Sequence, residues 1–282
     1  MGDVEIQTEP RSVYGLESST LGRTIERELV PRLLLAHRAG PLSPAERSEL
    51  ARRASALDAS AISEDDLFEF VARVLGVDED GATDHVRTLV TRGVTIEAVY
   101  VDLLAPTANA LGQMWSADTC DFMEVAIGLG RMQRVLRELS KDFVGSAPTS
   151  SDGGRVLLSC IPGEQHTLGL YMVAEFFIRD GWGVSLGAPV SDADLVHLVS
   201  SEWFDVVGFS AACDTRLIRL RREIASVRRH SMNRNVRVLV GGRLFVEHPH
   251  LVDRIGADAC VTDAREGPTC ARGLVPTPSL DS

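Results

Sequence analysis

The chain has 282 residues, 44% of them hydrophobic, so it is long enough to form two domains with a core in each. It carries 40 acidic and 29 basic side chains, and the resulting net charge of −11 opposes direct binding to DNA or to an anionic membrane. Five cysteines without a Cys-x-x-Cys pair fit neither a disulfide scaffold nor a zinc ribbon, and no leader or membrane-length apolar run is apparent. We therefore expect a cytoplasmic protein.

The first half of the chain has the apolar periodicity of helices. Residues 1–20 are polar and are expected to form a disordered arm. The pattern after them predicts a helical bundle over 21–146, whose last helix should turn Met123, Ile127 and Met132 toward the core. Within the bundle, helices are predicted over 21–39, 44–56, 63–75, 81–92, 95–115 and 121–139.

The second half alternates apolar strands with helical stretches, which is typical of a parallel sheet. A stretch rich in Gly, Ser and Pro over 147–154 predicts the linker that precedes it. We predict an α/β domain over 155–266 with a flavodoxin-like five-stranded parallel sheet of order 2-1-3-4-5, then a flexible tail over 267–282. Its strands are expected near 155–161, 183–187, 205–210, 236–241 and 258–262, and its helices near 168–180, 192–201, 214–229 and 246–254.

The loop after the first predicted strand contains Glu164 and His166, followed by Thr167 and Gly169. An imidazole can bind a metal through one ring nitrogen while the other donates to a carboxylate. Glycine lets the backbone approach a large ligand closely. Taken alone, His166 could be an ordinary loop histidine, and its surroundings decide between the two interpretations.

Other polar or bare-backbone positions are predicted at the same edge of the sheet. Ser210 ends the third strand, Gly241-Gly242 the fourth, and Thr262 the fifth. In this fold, ligands bind beyond the carboxyl ends of the strands, where the strand order reverses. The sequence therefore predicts a site for a bulky, partly planar ligand with a long tail.

These motifs resemble the Asp-x-His-x-x-Gly, Ser-x-Leu and Gly-Gly motifs of cobalamin-binding domains. The resemblance implies cobalamin as cofactor and His166 as the lower axial ligand of cobalt. Two positions depart from the pattern, since Glu164 replaces Asp and Ala212 replaces Leu. The resemblance also implies that cobalamin is contacted by Glu164, Thr167, Gly169, Ser210, Gly241, Gly242 and Thr262.

The helical half carries a second resemblance. Leu111-Gly112-Gln113-Met114-Trp115 is similar to the Trp-bearing helix that covers the corrin ring in cobalamin sensors and carriers. Trp115 is thus a candidate ring contact, with a role in the ordinary core as the alternative. In light sensors resembling CarH, a Glu-His pair follows the Trp and supplies an upper cobalt ligand. Val125-Ala126 occupies that place here.

Residues 120–140 and 162–167 are instead similar to the PpaA/AerR family of photosynthesis-gene regulators, a resemblance that spans roughly 90–265. It implies a light-responsive antirepressor, not an enzyme, that binds adenosylcobalamin or hydroxocobalamin. Its expected partner is a transcriptional repressor protein, with no direct binding to DNA. The chain is also a possible homodimer.

Two other functions remain open from the sequence. A corrinoid carrier of a methyltransferase system would share the histidine loop, and a haem-binding redox sensor could use the same His166 to bind iron. A phosphoacceptor receiver domain is disfavoured, because Ser210 occupies the position where it needs an Asp. The basic run over 216–229 is either the solvated face of a helix or a docking site for an acidic partner.

Overall fold

The computed structural model describes residues 61–145, 154–161, 167–187, 191–211 and 216–275. The predicted arm over 1–20, the helices predicted before residue 60, most of the predicted linker, and both Glu164 and His166 lie outside these ranges. Among the described residues, no helix is both long enough and apolar enough to cross a membrane.

Four helical elements form the first half of the described chain. Helix α1 begins after Ser63, whose hydroxyl accepts from the Asp66 N–H while the Asp66 carboxylate accepts from the Ser63 N–H, so the two residues form a capping box. The elements are α1 (Glu64–Leu75), α2 (Gly81–Thr91), the composite α3 described next, and α4 (Phe122–Val144). Their bounds confirm the helices predicted from residue 63 onward.

Helix α3 changes geometry along its length. It consists of an α-helical turn (Ile96–Ala98), a π-helical segment (Val99–Leu104) and a second α-helical segment (Ala105–Ser116). Pro106 has no N–H to donate to the carbonyl four residues earlier, and the Ala105 N–H instead donates to the Tyr100 carbonyl, five residues earlier. The sequence predicted one continuous helix and did not anticipate this widened turn.

The second half contains the predicted five-stranded parallel sheet, in the order β2-β1-β3-β4-β5. Cys160 at the end of β1 lies beside Ser210 of β3, and Ser210 lies beside Gly241 of β4, so these three strands end level with one another. The strands are β1 (Arg155–Cys160), β2 (Gly183–Gly187), β3 (Val206–Ser210), β4 (Arg237–Gly241) and β5 (Ala259–Val261).

Helices cover both faces of the sheet. Helix α5 (Leu168–Arg179) packs one side on the sheet through Leu170 and Phe177, and its other side packs into the bundle core through Met172 and Phe176. Because two sides of α5 are buried, its sequence is mostly apolar, with Glu175 and Arg179 as the charged exceptions. The opposite face of the sheet carries α6 (Asp192–Ser201), α7 (Leu217–His230), α8 (Arg243–Glu247) and α9 (Leu251–Ile255).

Three expectations from the sequence need correction. The helix predicted over 246–254 is two short helices, because Pro249 interrupts the pattern and His248 before it leaves the helical conformation, with φ −133° and ψ 65°. In α4, Met123 and Ile127 are exposed and do not face the core. The tail predicted from 267 instead begins with a helix, α10 (Gly267–Leu274), whose Ala271 is fully buried against the sheet.

A partly buried ion pair links α1 to the end of α2. Two Arg92 nitrogens donate to the two Asp66 oxygens at 3.0 and 2.6 Å, and Asp66 is only 6% exposed. Burial alone would raise the pKa of Asp66, but the hydrogen bonds from Arg92 and Ser63 outweigh it and lower that pKa. A carboxyl whose pKa is lowered by folding stabilises the fold above its unfolded pKa of about 3.9. This contribution is lost as the pH falls through the folded value.

We expect Arg92→Leu to lower the free energy of unfolding at pH 7 by about 3 kcal/mol, because it leaves a buried carboxylate without its partner. The difference from the unchanged protein should narrow as the pH falls below about 4 toward the lowered folded pKa, because protonation of Asp66 removes the charge that Arg92 pairs with. Urea unfolding between pH 3 and 7 measures both effects. Arg73→Leu, which breaks the exposed pair with Glu69, is the matched control and should cost about 0.5 kcal/mol or less. A difference that stays constant across this range would contradict the assignment.

Candidate functional site

A cavity of about 1400 Å³ lies between the bundle and the carboxyl ends of the strands. We call its bundle side the roof and its sheet side the floor. The roof comes from α3 and α4 and includes Ala108, Gly112, Trp115, Phe122, Val125 and Leu129. The floor follows β1, β3, β4 and β5 and includes Leu158, Ser210, Ala211, Gly241, Gly242 and Thr262. The cavity therefore occupies the point where the strand order reverses, as the sequence predicted.

The floor depends on backbone without side chains. A Cβ on Gly242 would lie 2.5 Å from the carbonyl oxygen of Ala211, and its φ of +100° is one that residues with a side chain rarely adopt. A Cβ on Gly241 would lie 3.0 Å from the Val261 carbonyl oxygen. Gly242 has no room for a side chain and Gly241 very little, so the ends of β3, β4 and β5 approach each other closely beneath the cavity.

The roof is apolar and accessible. Trp115 at the end of α3 is 52% exposed and Phe122 at the start of α4 is 71% exposed, and both side chains line the cavity. Val125 and Leu129 follow Phe122 at helical spacing on the same side of α4. Such a surface suits the face of a large flat ring, since burying aromatic side chains against it removes much apolar area from water.

Polar groups lie at the edges of the cavity. Thr167, Ser210 and Thr262 line it from the sheet side, and Asn109 and Gln133 line it from the bundle. A mostly apolar cavity with a few polar groups around it is typical of a cofactor site.

Three polar contacts hold the roof above the floor. Arg265, just after β5, donates from Nη2 to both oxygens of Asp102 in the π-helical segment, at 2.7 Å each. Arg179 of α5 donates to Glu97 at 3.2 Å. The Tyr100 hydroxyl donates to Glu175 of α5 at 2.6 Å.

The Tyr100–Glu175 contact is partly buried. Tyr100 is fully buried, and desolvation, reinforced by the neighbouring Glu175 carboxylate, raises its pKa. The phenol therefore remains a neutral donor throughout the physiological pH range.

The structure brings together most of the residues that the sequence predicted for the site. Glu164 and His166 lie outside the described residues, in the segment that joins β1 to Thr167 at the cavity. Among the described residues, no group of three or more His, Cys, Asp or Glu side chains could hold a metal ion. The predicted residues that line the cavity are Thr167, Gly169, Ser210, Gly241, Gly242, Thr262 and Trp115.

Sequence reasoning missed the α4 side of the roof. Phe122, Val125, Leu129 and Gln133 recur at intervals of three or four residues, which is a signal that could have identified a common face. The neighbouring stripe through Met123 and Ile127 is equally apolar, so periodicity alone does not show which of the two stripes faces the cavity. Arg216 and His248 also line the cavity; the sequence placed Arg216 in a basic run without relating it to the site, and no motif marked His248.

Residues 154–271 match the B12 binding domain family, and cobalamin is the cofactor of this part of the chain. The cavity fits such a group, because it combines a large volume, a floor of bare glycine backbone and an apolar aromatic roof.

Two proteins are similar to the chain in sequence. An uncharacterized 20.5 kDa protein in the bchF-crtJ intergenic region of Rhodobacter capsulatus is 28% identical over 173 residues, which is 60% of this chain and 88% of that protein. Dimethylamine corrinoid protein 1 of Methanosarcina acetivorans is 27% identical over 173 residues, or 61% of this chain and 80% of that protein.

A solved structure shares the fold. The monomethylamine corrinoid protein of Methanosarcina barkeri superposes with a TM-score of 0.63 at 14% identity, over 76% of this chain and all of that chain. The predicted fold class, a helical bundle followed by a parallel α/β sheet, is confirmed.

We expect Gly242→Ala to weaken cobalamin binding about tenfold, because the added Cβ must push the Ala211 carbonyl away and overpacking of this kind costs about 1–3 kcal/mol. Gly256→Ala is the matched control. It also sits at positive φ, +79°, but its Cβ would meet no atom within 4 Å and lies away from the cavity. Titration of each apoprotein with hydroxocobalamin, followed by absorbance, measures the affinities. Equal losses in both variants would mean that backbone strain, and not the close approach, is responsible.

Proposed function

We propose that the protein is a cobalamin-dependent, light-responsive regulator that acts as an antirepressor by contact with a repressor of photosynthesis genes, and that it is not itself an enzyme. One observation carries the proposal: the cofactor cavity has two walls from different domains, with helices of the bundle as its roof. A change on the upper side of the bound cofactor would therefore act directly on α3 and α4, and α4 exposes Met123 and Ile127 on its surface, where another protein could contact them.

Bound cobalamin supplies a cobalt centre whose upper ligand can be exchanged, including by light. The chain's own part is to sense what occupies that upper side. The polar side chains of the described roof include the amides Asn109 and Gln133, and no imidazole stands at Val125 or Ala126. We infer that the roof leaves the upper position to water or to the adenosyl group and responds to the size of that ligand.

The roof is well connected for transmission. The π-helical segment of α3 carries Val101, which lines the cavity, next to Asp102, which binds Arg265. Arg265 in turn follows Thr262 and Asp263, which line the cavity from β5. A displacement of α3 would thus break the ion pair in which Arg265 donates to both oxygens of Asp102, and the two packings of the domains would differ in whether this ion pair is present. Two discrete packings of this kind are what a ligand-driven population shift requires.

The regulatory role is supported by the similarity of residues 120–140 and 162–167 to PpaA/AerR regulators. It is also supported by the relative whose name places it between bchF and crtJ. That similarity extends over 60% of this chain, which is more than the B12 binding domain alone.

A corrinoid carrier for a methyltransferase is the second candidate. It is favoured by the likeness in sequence to dimethylamine corrinoid protein 1 and by the shared fold with the monomethylamine corrinoid protein. A carrier must give up a methyl group to a partner enzyme, whereas a regulator must change its affinity for a partner. The two functions are therefore distinguished by what a partner does to the cofactor.

We predict that His166→Ala removes the lower nitrogen ligand of cobalt. The absorbance spectrum of the bound cofactor should lose the features of imidazole coordination, and the affinity should fall by about 10–100-fold or more. His248→Ala is the control, because His248 lies at the same cavity but outside the motif, and its spectrum should be unchanged. If the spectrum of the His166 variant matches that of the unchanged protein, His166 is not the ligand.

We predict that light changes the affinity of the holoprotein for a purified photosynthesis-gene repressor by about 5- to 150-fold, the range of ordinary allosteric coupling. The full chain is loaded with adenosylcobalamin in darkness, and repressor binding is measured before and after illumination. Asp102→Asn should keep the cofactor but reduce the change, because it weakens the contact with Arg265. Equal affinities in darkness and light, or demethylation of the methylcobalamin-loaded protein by a corrinoid methyltransferase, would favour the carrier.

A further inference from the structure

Helix α7 presents a basic face on an acidic protein. Its inner side, Leu220, Ile224 and Val227, is buried in the core on the sheet face away from the bundle. The opposite side of α7 is exposed. Its exposed residues are spaced by three, one and seven positions along the helix, so they lie on one face and form a single stripe. The residues of this stripe are Ile218, Arg221, Arg222 and Arg229.

The arginines of α7 fall into two groups. Arg219 binds Asp192 of α6 at 2.5 Å and Arg228 binds Asp258 before β5 at 2.9 Å, so these two serve the packing of neighbouring elements. The second group, Arg221, Arg222 and Arg229, does not take part in such ion pairs among the described residues. Within the part of the chain that the structure describes, no carboxylate lies within 4.0 Å of their guanidinium groups.

Local stability does not explain the unpaired charges. Arg229 lies in the last turn, where a cation interacts favourably with the helix dipole, but Arg221 and Arg222 lie in the first half. The positions four residues after these two are Ala225 and Ser226, which offer no opposite charge. Arg219 and Arg222, three residues apart, carry like charges. Contacts within α7 therefore do not account for this positive stripe, which stands on a chain whose net charge is −11.

Apolar side chains are exposed at the two ends of the stripe. Ile218 is 73% exposed near the start of α7, and Met232 is 51% exposed just after its end. Arginine and methionine are enriched in protein interfaces, and apolar anchors next to charged groups are typical of binding hot spots. A surface meant only for phosphates would need no exposed isoleucine, so the combination favours a protein over a nucleic acid.

We propose that this face, which we call the α7 face and define as Ile218, Arg221, Arg222, Arg229 and Met232, is a docking site for an acidic, amphipathic helix of a partner protein. The partner's carboxylates would pair with the three arginines, and an apolar residue would cover Ile218. Because α7 lies on the sheet face opposite the bundle, such a partner binds without entering the cofactor cavity. The assignment does not depend on the regulatory role proposed above.

The test uses the full chain loaded with hydroxocobalamin and a fluorescent 18-residue peptide with Glu on one helical face and Leu on the other. Fluorescence anisotropy should give an affinity that falls as salt is added. Arg221→Glu with Arg229→Glu should weaken it at least about tenfold, because like charges then face each other. Ile218→Ser should weaken it by a smaller factor, about threefold, and leave its salt dependence unchanged.

The matched control is Arg137→Glu with Lys141→Glu on α4, which lowers the net charge by the same amount on an exposed surface of the bundle. Its peptide affinity should stay within about twofold of the unchanged protein, since only long-range charge has been altered. Circular dichroism and the cobalamin spectrum report whether each variant is folded. No measurable binding, or equal weakening by the two double variants, overturns the proposal.

Two further measurements distinguish other occupants. A 20-base-pair DNA duplex should bind more weakly than the peptide. Tighter duplex binding that the Arg221 and Arg229 reversals abolish would assign the α7 face to nucleic acid instead. Sedimentation of the full chain should show no self-association that depends on this face. A salt-sensitive dimer lost in the same variant would assign it to a second copy of the chain. Either result overturns the proposal.

Discussion

The architecture depends on one helix having two buried sides. Helix α5 packs Leu170 and Phe177 on the sheet and Met172 and Phe176 on the bundle, so neither domain closes its core without the other. Tyr100 completes this junction, because its ring packs in the aromatic cluster with Phe176 while its hydroxyl reaches an α5 carboxylate. The packing of α5 and Tyr100 between the two domains holds the bundle above the carboxyl ends of the strands. The space that remains between the bundle and these strand ends is the cofactor cavity.

The site assigns different tasks to its two walls. The floor is determined by backbone, because Gly241 and Gly242 bring three strand ends together where a side chain would not fit. The roof is determined by side chains, with Trp115 and Phe122 offering apolar surface. The close-packed backbone of the floor would hold the cofactor from below, and under the function we propose the side chains of the roof would sense it from above. A regulator needs both properties, and a carrier needs mainly the first.

The bundle surface around α2 and α4 and the α7 face differ in how their arginines are paired. On the bundle surface around α2 and α4, Arg87 pairs with Glu138, and Arg134 pairs with Asp80 and Glu138. On the α7 face the arginines lack such partners among the described residues. Because the overall charge is negative, the α7 face is a local exception, and a local field of this kind steers complementary surfaces during encounter.

The sequence by itself determined the features that arise from neighbouring residues. Helix caps such as Ser63, the five strands and the glycine pair after β4 were all predicted, since turn chemistry and apolar periodicity act over a few positions. Only the tertiary structure decided which apolar stripe of α4 faces the cavity, that 267–274 is a docked helix, and that Asp102 meets Arg265. In each case the deciding partner lies far along the chain, and local pattern carries no information about it.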